Sequence, residues 1–95
     1  MQFTDFSKLD LNRLPSPCFV VDEIAVQRNL EILNHVATAS GARVLAALKA
    51  FSMWSVAPII GEYLDGVCTS GLWEARLAGE FYDGEIATYS AAYKP

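Results

Sequence analysis

One stretch near the middle of the chain decides how the whole sequence is interpreted: Arg43-Val44-Leu45-Ala46-Ala47-Leu48-Lys49-Ala50-Phe51. Five consecutive apolar residues lead into a single lysine. A continuous apolar run this short is typical of a strand buried on both faces, as in a parallel sheet covered by helices. We therefore predict a strand over about residues 43–48, with Lys49 at its end.

A lysine at the end of a buried strand is partly stripped of water. Desolvation disfavours the ammonium form, so it lowers the pKa of a lysine and makes the neutral amine available as a nucleophile toward a carbonyl. The spacing leaves a second interpretation open, in which Lys49 lies along the strand end and keeps its ammonium group in solvent.

Composition limits the classes of protein to which the chain can belong. Its 95 residues, 53% hydrophobic and 19% charged, suit one small globular domain at most. The net charge of -4 argues against a surface for nucleic acid or anionic membrane, where a basic patch is expected. No apolar run approaches the roughly 18 residues of a membrane span. The charged residues among the first 14 leave no signal-peptide core.

The two cysteines, Cys18 and Cys68, lack the spacing of metal ligands, and His35 has no histidine partner. We therefore expect no metal site, and we expect His35 to be a surface residue. Two free thiols without a secretory signal favour a reducing compartment. The sequence predicts a cytoplasmic protein without a nucleic-acid or membrane partner.

A helix and a strand precede the lysine segment. Pro15-Ser16-Pro17 favours extended structure after it, and residues 18–21 are predicted to form a short strand. Asp22 is a suitable N-cap for a helix that begins at Glu23 and ends near Ser40-Gly41. The apolar face of this helix has helical spacing: Val26, Leu30, Leu33 and Ala37.

Helices and strands alternate after Lys49. Pro58 limits the next helix to a start near Ser55 as its cap, because proline is tolerated only in the first turn. Two further strands are predicted near 66–69 and 85–89, separated by a helix after Ser70-Gly71. Its apolar stripe would be Trp73, Leu77 and Phe81. This alternation predicts an α/β fold with a parallel sheet, and periodicity does not separate an open doubly wound sheet from a (β/α)8 barrel.

Four segments of the chain resemble those of a known enzyme group, the alanine-racemase-type pyridoxal-phosphate enzymes, which include ornithine, arginine and diaminopimelate decarboxylases. Within this group the sequence is most similar to the carboxynorspermidine decarboxylase family. The matching segments stand in order, from about Pro15 to the last residue: 48–55, 61–66, 70–76 and 88–94.

The resemblance implies the first part of a (β/α)8 barrel of the alanine-racemase type, preceded by a strand that belongs with a β-rich second domain. Residues 1–21 would be the lead and that strand, and the barrel strands would lie near 43–48, 66–69 and 85–89. By resemblance, Lys49 binds pyridoxal 5'-phosphate covalently and Ala47 lines the cofactor pocket. The implied activity is decarboxylation of carboxynorspermidine or carboxyspermidine in polyamine biosynthesis by a homodimer, with the rest of the site later in the chain.

Other residues keep two interpretations each. Ser70 is a helix cap or a site residue, and Tyr89 is a pocket wall or plain core. Trp54 and Trp73 are expected to pack in the core rather than touch substrate. Glu74 is expected to be solvated or to pair with a cation across an interface.

Three rival functions remain at this stage. The first is a racemase or another decarboxylase of the same fold. Many ornithine-type enzymes carry an acidic residue near the position of Val67, so their substrate contacts do not transfer simply to this chain. The second is a non-catalytic pyridoxal-phosphate-binding barrel protein. A nucleotide-binding module is the third, and the dispersed glycines, without a G-x-G-x-x-G pattern, do not support it.

Overall fold

The computed structural model describes residues 3–95, which form three α-helices and one three-stranded sheet. The helices are α1 (Glu23–Ser40), α2 (Ala57–Tyr63) and α3 (Leu72–Phe81). The strands are β1 (Leu45–Ala47), β2 (Gly66–Thr69) and β3 (Glu85–Thr88). Short 3-10 turns lie at Phe6–Lys8, Leu11–Arg13 and Trp54–Val56. After α1 the order is strand, helix, strand, helix, strand, as the sequence predicts.

The sheet is parallel throughout, in the order β1-β2-β3, so α2 and α3 are the crossovers between neighbouring strands. The register aligns Ala46 with Val67 and Ile86, and Ala47 with Cys68 and Ala87. Because side chains alternate along a strand, these two rows point to opposite faces. The predicted α/β fold with a parallel sheet is therefore confirmed.

One apolar cluster joins the helices to a single face of the sheet. Val67 of β2 and Leu48, just after β1, are almost completely buried. They share the cluster with residues from all three helices and the adjoining loops: Leu30, Val56, Ala57, Ile60, Leu64, Ala78 and Tyr82. Ala46 packs against it, whereas its neighbour Ala47 lies on the other face. The helices thus cover one face, which leaves the other to carry the site.

Local capping fixes the bounds of α1 as the sequence predicts. The carboxylate of Asp22 accepts hydrogen bonds from the backbone N–H groups of Ile24 and Ala25, at 2.9 and 3.2 Å. Its second oxygen accepts one from the hydroxyl of Thr4 at 2.8 Å, which attaches the preceding segment to the helix. Gly41 ends the helix in the left-handed conformation, with φ of 74°. On the predicted apolar face only Leu30 is fully buried.

The predicted caps of the other two helices are wrong. Ser55 lies inside the 3-10 turn before α2, and Val56 holds the cap position while its side chain fills the core. Gly71, not Ser70, precedes α3, and the N–H of Ser70 instead donates to the carboxylate of Glu74 at 3.1 Å. At α2, core packing of Val56 takes the place of the predicted serine cap. Before α3, Ser70 donates a hydrogen bond through its backbone N–H and does not accept one through its side chain.

The predicted apolar stripe of α3 faces the core only in part, since Leu77 is half-buried and packs against the core cluster but the two aromatic residues do not. Trp73 is 77% exposed and Phe81 is 41% exposed, whereas Ala78 is completely buried. The buried side is a row of smaller residues one helical position away, centred on Ala78 with Ala75 half-buried. Small side chains let α3 lie close to the sheet, which explains why this row faces the core and the aromatic residues do not.

Backbone contacts fasten the amino-terminal ends of the three strands. The Asp65 N–H donates to the Val44 carbonyl at 3.1 Å, and the Asp65 carbonyl accepts from the Glu85 N–H at 2.9 Å. Gly66 follows Asp65 with φ of 157°, and a Cβ there would collide with the Glu85 carbonyl oxygen. On the same side Arg43 and Glu85 form an ion pair of 2.6 Å across β2. We call these contacts at the amino-terminal end of the sheet the clasp. Barrel enzymes carry their working residues at the opposite, carboxyl end of the strands.

Candidate active site at the carboxyl ends of the strands

Lys49 lies in a tight turn that begins where β1 ends. The carbonyl of Ala47, the last residue of β1, accepts hydrogen bonds from the N–H groups of Ala50 at 3.1 Å and Phe51 at 3.3 Å. Lys49 lies in the chain between the residues that these two bonds join, and it is exposed. The position at the carboxyl end of the first strand is as predicted.

The expected desolvation of Lys49 is not provided by residues 3–95. Its side chain is exposed, and no hydrogen bond or ion pair joins it to another residue in this range. The solvated interpretation therefore describes this chain better than the buried one. The reason is that the helices cover only one face of the sheet, and Lys49 lies in the turn after β1, outside the core cluster.

That uncovered face carries small side chains beside the lysine. Ala47 lies on it two residues before Lys49 and is half-buried. In the register Ala47 is level with Cys68 on β2 and Ala87 on β3, both also half-buried. This row therefore consists of three small residues.

The other sequence candidates lie at the same edge but do not contact Lys49. Ser70 is exposed in the β2–α3 connection, and Tyr89 is 80% exposed after β3. The Tyr89 N–H donates to the Thr69 carbonyl at 3.0 Å, which extends the strand pairing by one residue. Tyr89 is therefore not a core residue among those described.

A hydroxyl pair at this edge was missed by the sequence analysis. The side chains of Thr69 and Thr88 lie 2.7 Å apart, and Thr69 is only 3% exposed. Both are the last residues of their strands and face each other in the register. The signal in the sequence was a threonine at the end of the predicted strand 66–69 and another next to the end of the predicted strand 85–89.

An apolar groove borders the lysine turn. It has a volume of about 670 Å³ and lies between residues 19–21 and residues 50–55. The predicted strand over 18–21 forms one wall, but the structure assigns no strand there. A strand requires a hydrogen-bonded neighbour, and no strand of the described chain pairs with this segment. On the far side of the groove Trp54 stacks on Phe81, with ring centroids 5.7 Å apart.

The two tryptophans predicted to pack in the core are largely exposed. Trp54 is 53% exposed and stacks on Phe81. The ring of Trp73 lies 5.3 Å beneath the guanidinium of Arg76. The exposed position of His35 on α1 is as predicted.

Groups with shifted pKa values lie away from the lysine turn. The Thr4 hydroxyl, followed by the backbone N–H groups of the first turn of α1, lowers the pKa of Asp22. Burial raises the pKa of Tyr82, whose hydroxyl has no hydrogen-bond partner among residues 3–95. Within the same range no three potential metal ligands come together, and no helix is long and apolar enough to cross a membrane.

Comparison with known proteins shows which enzymes the chain is similar to. The chain is 45% identical over 82 residues to carboxynorspermidine/carboxyspermidine decarboxylase of Campylobacter jejuni, covering 86% of this chain and 22% of that enzyme. The chain is similar to a carboxynorspermidine decarboxylase. The same enzyme of Herminiimonas arsenicoxydans is 39% identical over 84% of the chain, and it too is matched over 22% of its length.

Structural comparison gives the same result. The crystal structure of carboxynorspermidine decarboxylase from Campylobacter jejuni, complexed with norspermidine, superimposes with a TM-score of 0.82 at 46% identity. The superposition covers 85% of this chain and 22% of the crystallised chain. The resemblance inferred from the four motif segments is therefore confirmed, and the chain spans about a fifth of the length of the relatives it matches.

A third relative widens the range of substrates to consider. Carboxyaminopropylagmatine decarboxylase of Synechocystis is 40% identical over 85 residues, 90% of this chain and 22% of that enzyme. None of these three relatives is a racemase or an ornithine decarboxylase, so the same-fold rivals are not favoured. No family model matches the chain.

Proposed function

We propose that residues 1–95 are the amino-terminal portion of the cofactor-binding barrel of a pyridoxal-phosphate-dependent decarboxylase of polyamine biosynthesis. The observation that carries the proposal is the joint match in sequence and structure, 45% identity and a TM-score of 0.82, to one decarboxylase. In this proposal β1, β2 and β3 are the first strands of a (β/α)8 barrel, and residues 18–21 pair with a β-rich domain beyond this chain. The whole enzyme is proposed to be a cytoplasmic homodimer.

The described residues fit pyridoxal 5'-phosphate at one point of attachment. Lys49 presents an accessible amine at the carboxyl edge of the sheet, where barrel enzymes gather their working residues. The row that includes Ala47 offers small side chains on the same face, so a planar ring meets no bulky group there. Lys49 is therefore the proposed cofactor lysine, and Ala47 is the proposed neighbour of the ring.

Lys49 has two tasks in the proposed reaction. Lys49 would hold the cofactor in place, because a primary amine can condense with an aldehyde with release of water. When bound, pyridoxal phosphate withdraws the electron pair left by the departing carboxylate into its ring. When it is not bonded to the cofactor, the Lys49 amine at the sheet edge would hold or deliver a proton.

The rest of the site is proposed to lie beyond residue 95. A phosphate group is usually held by a helix N-terminus or a nest of backbone N–H groups, often rich in glycine. The six glycines of this chain are dispersed, and the N–H of Ser70, just before α3, already donates to the carboxylate of Glu74. A complete barrel takes about 250 residues, so the 95-residue chain alone is expected to have no activity.

The proposed substrates share an amino-acid end and a cationic tail. Two relatives are named for carboxynorspermidine and carboxyspermidine, and one for carboxyaminopropylagmatine. The first two substrates end in an ammonium group, and the third ends in a guanidinium group. The proposal favours the ammonium substrates because the relative with the highest of the three identities acts on them, and the guanidinium substrate is the alternative.

The test compares Lys49→Ala with Lys8→Ala in the intact enzyme. Lys8 is an exposed lysine in the 3-10 turn at Phe6–Lys8, remote from the sheet, so it is a matched control for loss of one surface ammonium. Release of carbon dioxide from carboxynorspermidine is expected to stop in Lys49→Ala and to continue unchanged in Lys8→Ala. Full activity in Lys49→Ala would refute the assignment. A higher kcat/KM for ornithine than for carboxynorspermidine in the unmutated enzyme would refute the proposed substrate class.

A further inference from the structure

The residue before the lysine is among the most deeply buried of the described chain. Leu48 is 2% exposed and belongs to the cluster that joins the helices to the sheet. Its backbone N–H donates to the carbonyl of Cys68 on the neighbouring strand at 3.1 Å. Both the side chain and the backbone of Leu48 are therefore fixed.

The residues on either side of Leu48 connect this fixed position to the turn that contains the lysine. Ala47 accepts two hydrogen bonds through its carbonyl, from Ala50 and Phe51, which closes the turn around Lys49. Leu48 packs in the core at 2% exposure, whereas Lys49, the next residue in the turn, is exposed.

We propose that Leu48 is a positioning residue for Lys49: the buried leucine holds the turn in register with β2 and thereby aims the amine at the open face of the sheet. This inference rests on the proposed role of Lys49 as the cofactor lysine. It predicts that shortening Leu48 disturbs the lysine more than an equally large cavity elsewhere in the same core.

The chain offers a matched control for the cavity itself. Ile60 of α2 belongs to the same cluster and is 4% exposed. Leu48→Ala and Ile60→Ala each remove three carbon atoms from this core, but only the first changes a residue of the turn. Leu48→Met keeps the side-chain volume and serves as the rescue. Leu48→Val and Ile60→Val make the same comparison with one carbon removed, should an alanine variant fail to fold.

Two readouts separate positioning from general loss of stability. The first is hydrogen exchange at the N–H groups of residues 48, 50 and 51, which reports on the turn whether or not any cofactor binds. The second is the absorption band of the lysine-bound cofactor together with kcat for decarboxylation. Both are measured in the intact enzyme, at a temperature where each variant is folded.

The proposal expects faster exchange at the three turn amides in Leu48→Ala than in Ile60→Ala, and recovery in Leu48→Met. It also expects kcat to fall by up to about 100-fold only in Leu48→Ala, the loss that a misplacement of roughly 1 Å can cause. Equal effects of Leu48→Ala and Ile60→Ala on both readouts would overturn the proposal. If turn exchange follows the expectation but the unmutated enzyme has no cofactor band, the positioning role stands and the proposed cofactor chemistry fails.

Discussion

Replacing Gly66 with alanine tests the clasp at the amino-terminal end of the sheet. A Cβ at Gly66 would lie 2.7 Å from the carbonyl carbon of Glu85 and closer still to its oxygen. These are backbone atoms of β3, so they cannot rotate aside as a flexible side chain could. The start of β3 has to move, and the 2.9 Å hydrogen bond from the Glu85 N–H to the Asp65 carbonyl is weakened or lost.

The expected loss of stability has two parts. A non-glycine residue at an unfavourable positive φ costs about 1–3 kcal/mol. Losing one backbone hydrogen bond costs about 1 kcal/mol. Gly66 is buried with φ of 157°, so we expect Gly66→Ala to lower the free energy of unfolding by about 2–4 kcal/mol.

The control is Gly79→Ala in α3, where a Cβ meets no atom within 4 Å. Glycine inside a helix is less stable than alanine by about 0.5–1 kcal/mol, so this variant should be more stable than the original protein. Urea unfolding, monitored by far-UV circular dichroism for all three proteins under one set of conditions, gives the two differences. The reasoning is refuted if Gly66→Ala is as stable as Gly79→Ala, because the two changes are predicted to have opposite signs.

Two further predictions concern contacts outside the clasp. The hydrogen bonds that lower the pKa of Asp22 stabilise the folded state at pH values above 3.8, the ordinary pKa of an aspartate, and this stabilisation is lost as the pH falls through the lower pKa of the folded state. The Tm difference between the original protein and Asp22→Ala should therefore be constant near neutral pH and shrink in acid. A Tm difference that grows in acid would contradict the assignment. The stack of Trp54 on Phe81 should give a coupling of about 0.5–1.5 kcal/mol in a double-mutant cycle of unfolding free energies. Trp73→Ala, at a 77% exposed position, should show no coupling to Phe81→Ala, and equal coupling for both tryptophans would argue against the stack.

Elements whose ends are set by local chemistry could be predicted from the sequence. The bounds of α1 follow from Asp22 and Gly41, since a cap acts within a few residues of itself. Strand β2 occupies the predicted residues 66–69 because a glycine turn and a helix start enclose it. The lysine strand is shorter than predicted, Leu45–Ala47 instead of 43–48. Before it, the N–H of Val44 bonds to the side chain of Asp65 at 3.2 Å, and after it Leu48 enters the turn.

Features that depend on packing between distant residues could not be predicted. Helical spacing alone is compatible with two apolar rows on α3, and it predicts the row of large residues as the buried one. Closeness of the helix to the sheet instead selects the small residue Ala78 for the interior. Likewise, the exposure of Trp73 is decided by which surfaces are present to cover it, and periodicity carries no such information.

The candidate site, too, could be predicted only in part from the sequence. That Lys49 follows the first strand could be deduced from the apolar run before it. Its exposure could not, because water is excluded from a lysine by residues remote in sequence. The hydroxyl pair of Thr69 and Thr88 depends on the register between two strands, which the sequence alone does not specify.

The most direct test of the account is to find which lysine binds the cofactor. The intact enzyme is incubated with pyridoxal phosphate, reduced with borohydride, digested and analysed by mass spectrometry. The account predicts that the phosphopyridoxyl group is found on the peptide that contains Lys49, and that carboxynorspermidine added before reduction lowers the labelling. Labelling of a different lysine in preference to Lys49, or no labelling at all, would contradict it.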